Sequence, residues 1–558
     1  NFIKFLLFIL LFYQTSVYSK IYDNSDFNSK NLSNYFSALL LFNNKKNSKA
    51  LKHFSLSRPL IDSHQPYLKN YVNSLVIEGQ VSKAIKELKF NLGKKNSNFF
   101  EAYLLLTLDS VKKKNFKKSK EYLDKLANFK ENGTFQRVIY ESLQEYIYIF
   151  ENKKLLKKNP GIDNLSVINR AFESCYLGAK NTDVYFLNII NDNDINYSRY
   201  IFFYINYLIE QNRFQEINEI TDQIDILDAN LLILQSKKWI NENNLSSFTN
   251  IFSCKNENDI LAEFIFLVAN LYSSENDFDR SNFYNQISMF LNPKFIFNLS
   301  LTAENHYMSQ NFRECEKILE KFNKKNLAYY WFKIKKEVFI IAKESDNKKS
   351  FNYLNLKFKK IKNPSIKILL DMANISKSFE EYNIAINYYN NVLTKLTKNS
   401  INYSDILYKR GSSYERLGEF SKSDEDLLQS LEINPDDPYT LNYLAYSWLE
   451  RNYKIELAIK MLEKAYKKKT NDPYIIDSIG WAYYLVGDFI KAEQLMKRAL
   501  ELMPDDPIVN DHYGDILWSL NKKMQAQYYW KSVLNLEDTE ESMKKKINIK
   551  LLKGPEKI

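Results

Sequence analysis

Small side chains recur along this sequence at a nearly constant interval, and that interval leaves few folds open to it. Gly411, Ala445, Gly480 and Gly514 follow one another at steps of 34, 35 and 34 residues. A second series of small side chains lies twelve or thirteen residues after the first, at Ser423, Ala458, Ala492 and Ala526. Periods of this length are typical of solenoids, in which each unit buries its apolar face only by stacking on its neighbours.

The residues around each small side chain predict one pair of antiparallel helices per unit, and hence an all-α fold class, an α-solenoid. A small residue on each helix lets the two helices approach closely. Larger side chains, expected to fill the space between one pair and the next, follow at Leu427, Leu462, Met496 and Trp530. Each new pair is expected to begin at an Asp-Pro dipeptide, because aspartate caps a helix and proline fits the first helical position. These dipeptides are Asp437-Pro438, Asp472-Pro473 and Asp506-Pro507.

Residues 472–507, DPYIIDSIGWAYYLVGDFIKAEQLMKRALELMPDDP, resemble the 34-residue consensus of the tetratricopeptide repeat (TPR) family. The resemblance implies a right-handed superhelix of helix pairs with a concave inner wall. Residues 477–518 also resemble a narrower group, the exported proteobacterial TPR proteins. Some of that group are envelope adaptors that bring peptidoglycan hydrolases to a processing protease, usually as lipoproteins. This sequence departs from them because it shows no lipidation cysteine near its predicted cleavage point.

The same phase recurs with weaker consensus at Ala50, Ala84, Ser119, Ser281, Cys315, Ser350 and Ala385, which makes eleven traceable units. The 162 residues between Ser119 and Ser281 leave room for about four more units at the family period. The predicted organisation is a signal peptide (1–19), N-terminal repeats (20–130), divergent repeats (131–265), further repeats (266–400), clear repeats (401–537) and a capping helix with a tail (538–558).

The first nineteen residues have the layout of a secretory signal peptide. Lys4 precedes an apolar run over residues 5–13, and Val17 and Ser19 stand at the −3 and −1 positions of a cleavage site. The predicted localisation is therefore periplasmic, with membrane contact only through an uncleaved signal segment. The alternative is an N-terminal anchor or a buried first helix, since the run is short for a membrane span.

Charge and cysteine content predict neither nucleic-acid binding nor a metal site. The net charge of +11 is carried by lysines in short dispersed runs, such as residues 112–114 and 467–469, which are typical of solvated helix faces. The cysteines, Cys175, Cys254 and Cys315, are three in number, far apart and in no CxxC pattern, so the sequence indicates no disulfide framework and no zinc site. Cys315 stands at a small-residue position and is predicted to serve packing.

No pattern in the sequence indicates catalysis. The four histidines, His53, His64, His306 and His512, have no metal-ligand spacing, and no GxSxG, HExxH, Walker or GxGxxG motif occurs. The sequence therefore predicts no enzyme, no cofactor, no metal and no small-molecule substrate. An enzyme hidden in residues 130–265 is the remote alternative.

The TPR resemblance implies a partner-binding groove on the first helix of each pair. Its predicted residues are Tyr408, Asn442, Tyr446, Tyr474, Asp477, Trp481, Tyr484, Asp511, Asp515 and Trp518, with Tyr439 on the same wall. Asp477, Asp511 and Asp515 would repel a terminal carboxylate, so the expected partner is a neutral or basic, apolar segment of an envelope protein. Two alternatives remain open: these side chains pack between neighbouring helices, or the aromatic wall stacks on peptidoglycan or another carbohydrate.

Overall fold

The structure is a computed structural model and describes residues 28–156, 164–191, 198–222, 224–537 and 539–555. Within these ranges it contains 30 α-helices, a few short 3-10 turns and no β-strand, which confirms the predicted all-α solenoid class. The helices fall into two compact units, Asn1–Ser350 and Phe351–Ile558. The predicted signal segment (1–19) lies outside the described residues.

The helices of the first unit differ greatly in length, from 4 to 19 residues. They are α1 Ser29–Asn43, α2 Asn47–Leu56, α3 Gln65–Ile77, α4 Val81–Phe90, α5 Phe100–Lys112, α6 Phe116–Leu126, α7 Thr134–Asn152, α8 Asn164–Leu177, α9 Thr182–Ile190, α10 Arg199–Glu210, α11 Phe214–Asp222, α12 Leu231–Asn241, α13 Ser246–Thr249, α14 Glu257–Ser274, α15 Phe278–Leu291, α16 Leu299–Met308, α17 Phe312–Leu319 and α18 Leu327–Glu344. The unit boundary falls within α19, Asn347–Phe358.

Helices far apart in sequence pack together in the first unit. α3 contacts α15, and both α5 and α7 contact α14. The rings of Phe135 and Tyr272 lie 4.6 Å apart, and the ammonium of Lys112 lies 3.9 Å from the centre of the Phe290 ring. The N-terminal helices of this unit therefore pack against its later helices. A simple repeat array requires contacts only between neighbouring pairs.

The structure corrects the interpretation of two of the three cysteines. Cys175 on α8 and Cys254, shortly before α14, form a disulfide across 79 residues of sequence, with their Cα atoms 5.9 Å apart. Sequence spacing did not reveal this pair because long-range folding, and no local motif, brings the two residues together. Cys315 is free and fully buried, which confirms its packing role.

The second unit consists of regular helix pairs. They are α20 Ile366–Ser378 with α21 Tyr382–Leu393, α22 Ile401–Arg416 with α23 Phe420–Ile433, α24 Pro438–Glu450 with α25 Ile455–Lys468, α26 Pro473–Leu485 with α27 Phe489–Leu502, and α28 Pro507–Ser519 with α29 Lys523–Val533, followed by α30 Glu541–Lys553. Ala385 and Ser423 are 38 residues apart, against 34 or 35 for the neighbouring units. The additional residues belong to a longer connection over residues 394–400.

Three first helices of this unit begin as the Asp-Pro dipeptides predict. The side chain of Asp437 accepts a hydrogen bond from the backbone N–H of Thr440. Asp472 and Asp506 each accept from two backbone N–H groups in the first turn of α26 and α28. Proline occupies the first turn in all three helices, so the donors at each helix start are largely satisfied.

The small residues of both series lie where helices touch. The second-series residues are all fully buried: Ala50, Ala84, Ser119, Ser281, Cys315, Ser350, Ala385, Ser423, Ala458, Ala492 and Ala526. A Cβ atom placed on Gly480 would lie 3.2 Å from Met496 Cε, and one on Gly514 would lie 2.6 Å from Trp530 Cδ1. The large side chains thus pack directly on the glycine of their own pair, which differs from the predicted position between pairs.

The predicted capping helix is α30, which packs on the last pair. Ile547 is fully buried there, and Met543 and Leu551 pack against the core of the unit. Gly554 ends the helix with φ of +79° and lies so close to the indole of Trp518 that a Cβ atom would be 2.6 Å from its ring. Glycine is therefore required at this position by both backbone conformation and space.

Candidate functional site

The first helices of successive pairs in the second unit form one continuous wall. α22 contacts α24, α24 contacts α26, and α26 contacts α28. A cavity of about 410 Å³ opens on this wall. Four of the predicted groove residues line it, namely Asn442, Tyr446, Tyr474 and Asp477.

The cavity is rich in carboxylates. Glu415, Glu450, Asp477 and Asp506 line it, against the guanidinium of Arg416 as the one cationic side chain among the described lining residues. Arg416 points largely into solvent and lies 3.8 Å from Glu415. The potential inside the cavity is therefore negative, because charges that line a cleft add up within it.

Two tyrosine hydroxyls lie beside these carboxylates. The Tyr443 hydroxyl donates to Glu415 Oε2 at 2.9 Å. Burial, reinforced by Glu415 for Tyr443 and by Glu450 for Tyr446, raises the pKa of both phenols, so both remain protonated donors at neutral pH. The Tyr443 donor is thus already used within the wall.

Two buried polar atoms of the cavity wall have no hydrogen-bond partner among the described residues. They are Oδ1 of Asn442 and Oγ of Ser447. Buried polar atoms in folded proteins are nearly always paired, so such atoms call for a partner from outside the chain, either water or a ligand.

Asp477 is held by the next first helix along the wall. Its Oδ1 lies 2.9 Å from Nδ1 of His512, and both side chains are buried. Burial disfavours the imidazolium, but the negative charge of Asp477, with that of Asp511 and Asp515, outweighs burial and raises the pKa of His512. The Asp477–His512 pair therefore links α26 to α28.

Trp481 and Tyr484 pack within the wall. The Trp481 ring stacks on His512 at 4.1 Å and on Tyr484 at 4.7 Å between ring centres. Tyr484 is 2% exposed. The stacking surface of Trp481 is thus occupied by protein, which leaves little of it for a sugar ring.

The last three predicted groove residues contact α30 or its flanking residues. Lys550 places its ammonium 2.7 Å from both Asp511 Oδ1 and Asp515 Oδ2. Burial raises the pKa of Asp515 to about 6, although Lys550 acts in the opposite direction. Trp518 packs against Gly554. These three side chains therefore have partners within the chain, as the local-packing alternative expects.

Tyr408 is the one predicted residue of α22. It is partly buried, and its ring meets that of Tyr443 edge-on at 5.7 Å. The most exposed aromatics of the wall are Tyr474, with 62% of its surface exposed, and Tyr439, with 49%. The structure thus gathers Asn442, Tyr446, Tyr474 and Asp477 at one cavity and gives most of the others packing roles. Whether any of the ten binds a partner stays a prediction.

Sequence reasoning missed several residues of the cavity, among them Glu415, Glu450, Ser447 and Asp506. Ser447 and Glu450 lie on α24 after Tyr446, the last residue of this helix that was predicted for the groove. Asp506 was assigned only its capping role. Its place at the cavity edge follows from the 34-residue step, which sets the start of α28 beside the middle of α26.

Throughout the described part of the chain, the cavity included, no group of three or more His, Cys, Asp or Glu side chains is placed to hold a metal ion. None of the described helices combines the length and apolar character that a membrane span requires.

The chain was compared with known proteins by sequence and by structure. A family model for the tetratricopeptide repeat matches residues 404–437. A TPR repeat-containing protein of Pseudomonas aeruginosa is 31% identical over 111 residues, which is 20% of this chain and 19% of that protein. The chain thus spans about a fifth of the length of this relative.

Solved structures give low overall similarity. A thermophilic TPR protein of Thermus thermophilus is 18% identical with a TM-score of 0.30, and covers 34% of this chain and 100% of its own. MamA of Desulfovibrio magneticus is also 18% identical, with a TM-score of 0.27, and covers 32% of this chain and 97% of its own.

Proposed function

We propose that the chain, of which residues 404–437 match a tetratricopeptide repeat model, is a non-enzymatic TPR scaffold or adaptor of the bacterial cell envelope. TPR repeats support a role in protein–protein interaction in general. The finer proposal is that client proteins present a neutral or basic, apolar segment to the wall of first helices in the second unit.

One observation carries this proposal, the cavity on α22, α24, α26 and α28. Its rim exposes Tyr474 and Ile508, which are 62% and 51% exposed. Exposed apolar side chains beside a concave polar site are typical of protein-binding surfaces, because an aromatic ring buries much area at low entropy cost. The cavity volume of about 410 Å³ suits a few side chains of a peptide.

Two features support an envelope location. Residues 1–19 have the composition of a secretory signal. The Cys175–Cys254 disulfide is of a kind that persists outside the reducing cytoplasm. The disulfide and the signal pattern are independent of each other, and both favour export.

Site-specific photo-crosslinking tests the proposal. Tyr474 and Tyr528 are matched probes, because both are tyrosines of the second unit and are 62% and 69% exposed. Tyr474 lines the cavity, whereas Tyr528 lies on α29 and does not. Each is replaced by p-benzoylphenylalanine, and intact cells that make the protein are irradiated. We expect discrete protein adducts from position 474 and few from position 528.

Identification of the adducts by mass spectrometry decides between outcomes. Envelope proteins crosslinked selectively at position 474 support the proposal and name the clients. Equal crosslinking at both positions, or none at position 474, contradicts binding at this wall. Adducts made only of cytoplasmic proteins contradict the envelope location.

A further inference from the structure

The cavity of the second unit has more hydrogen-bond acceptors than donors. Asp477 and Asp506 each use Oδ1 within the protein, for His512 and for the start of α28 respectively. Oδ2 is the remaining acceptor of each aspartate, and the buried Oδ1 of Asn442 has no partner among the described residues. Carboxylate and amide oxygens can only accept, so the group that satisfies them must donate.

The donors of the cavity do not balance its acceptors: the buried Ser447 hydroxyl has no partner among the described residues, but one neutral hydroxyl cannot offset four carboxylates. The hydroxyl of Tyr443 is committed to Glu415, and the neighbouring Glu450 raises the pKa of Tyr446. Arg416 has a side chain that is 64% exposed and lies beside Glu415. A lysine ammonium carries three donors and an arginine guanidinium five, and each would also meet the negative charge of the cavity.

The same wall already binds one lysine at its far end. Lys550 of α30 donates to Asp511 and Asp515 at 2.7 Å each. Asp511 occupies on α28 the position that Asp477 occupies on α26, 34 residues earlier. Asp477 is therefore the equivalent, one helix pair earlier, of an aspartate that binds a lysine of the same chain.

We propose that the cavity binds the side chain of a lysine or arginine that follows or precedes an apolar residue in a protein partner. The cation contacts Asp477, Glu450 and Asn442, while the apolar neighbour packs on the exposed side chains of Tyr474 and Ile508. This inference rests on the proposed function and specifies the partner that the wall selects.

The test uses a phage-displayed library of random dodecapeptides selected on the full chain. Affinity for the best peptide is then measured by fluorescence anisotropy against the wild type and two variants. Glu450→Gln removes a cavity carboxylate that is exposed and outside the core. Glu456→Gln is the matched control, because Glu456 is also an exposed glutamate, on α25, that does not line the cavity.

We expect enrichment of peptides with lysine or arginine beside an apolar residue. The best peptide should bind Glu450→Gln about five- to tenfold more weakly and Glu456→Gln unchanged, since a loss of one charge-assisted contact costs about 1 kcal/mol. Replacement of the peptide lysine by norleucine should weaken binding more than Glu450→Gln does, because it also removes the contacts with Asp477 and Asn442. Glu450→Gln should then add nothing further to the norleucine peptide, because its contact with the cation is already lost.

The other outcomes separate this inference from the proposed function. If selected peptides lack a cation, or if Glu450→Gln leaves affinity unchanged while Tyr474→Ala weakens it, the wall binds peptides but the cation site is wrong. If no peptide is enriched, or if Tyr474→Ala and Glu450→Gln both leave affinity unchanged, the proposed groove itself is contradicted.

Discussion

The two units place their small residues alike but pack their helices differently. Ala84 and Cys315 in the first unit are as fully buried as Ala458 and Ala492 in the second. In the second unit each pair contacts mainly the next pair, whereas in the first unit α3 and α5 contact α15 and α14. The small-residue position thus sets the closeness of the two helices within a pair, and does not by itself set the step between pairs.

The lengths of the helices and the caps at which they begin account for the regular step from one helix pair to the next in the second unit. The first helices α24, α26 and α28 are each 13 residues long, and each begins at an Asp-Pro cap. In the first unit, helix lengths run from 4 residues in α13 to 19 in α7. Helices of unequal length cannot repeat one pair-to-pair geometry, so the chain of the first unit buries its apolar surface through distant contacts instead.

The disulfide gives the largest expected difference between the units. The variant Cys175→Ala/Cys254→Ala should lower the free energy of unfolding of the first unit by about 4 kcal/mol, because the bond closes a long loop. Hydrogen exchange read by mass spectrometry should show faster exchange in peptides of residues 28–350 and no change in those of residues 351–555. Reductant added to the double variant should have no further effect. Faster exchange throughout the chain would mean that the two units do not behave as separate bodies.

The next largest effect is expected from the close packing at Gly514, and it should be confined to the stability of the second unit. Gly514→Ala should destabilise this unit by about 2 kcal/mol, because its Cβ would clash with the fully buried Trp530 ring and lie 2.6 Å from its Cδ1. Gly480→Ala is the control, since its nearest neighbour is the movable end of Met496 at 3.2 Å and alanine favours a helix. Urea unfolding midpoints measure both. Equal midpoints for the two variants would show that the approach at Trp530 does not limit residue size there.

The smallest of the three effects is a pH dependence of the second unit. The pKa of His512 is raised from 6.5 because Asp477, Asp511 and Asp515 outweigh burial. A raised histidine pKa gives stability that is fully present below about pH 6.5 and is lost as pH rises through the folded-state pKa. Thermal unfolding of the second unit should therefore occur at lower temperature as pH rises above 6.5.

His512→Gln keeps a donor for Asp477 and should remove the part of this dependence above pH 6.5. Ionisation of Asp515, with its pKa raised by burial to about 6, should still lower stability as pH rises from about 4 to 6 in both proteins. A slope above pH 6.5 that is identical in wild type and variant would assign the effect to another group.

The sequence predicted features that depend on position within one repeat. The Asp-Pro caps, the buried small residues and the helix after the last pair all follow from the 34-residue period. Contacts with residues that do not belong to the repeat pattern could not be predicted in this way. Cys254 meets Cys175 through long-range folding, and Lys550 reaches Asp511 from a helix that carries no repeat consensus. The cavity was predicted in part, because Tyr474 and Asp477 were among the predicted groove residues while Ser447 and Glu450 were not.

The α30 helix has a further consequence for self-association. An uncovered last pair would offer a second copy of the protein the same apolar and acidic face that each pair offers its neighbour, and such head-to-tail contacts grow into filaments. α30 buries Ile547 on that face and pairs Asp511 and Asp515 with the ammonium of Lys550. The helix also exposes Lys545, Lys546 and Lys553 beside the apolar Ile549 and Leu552, and the like charges of these lysines oppose the stacking of two copies at this end.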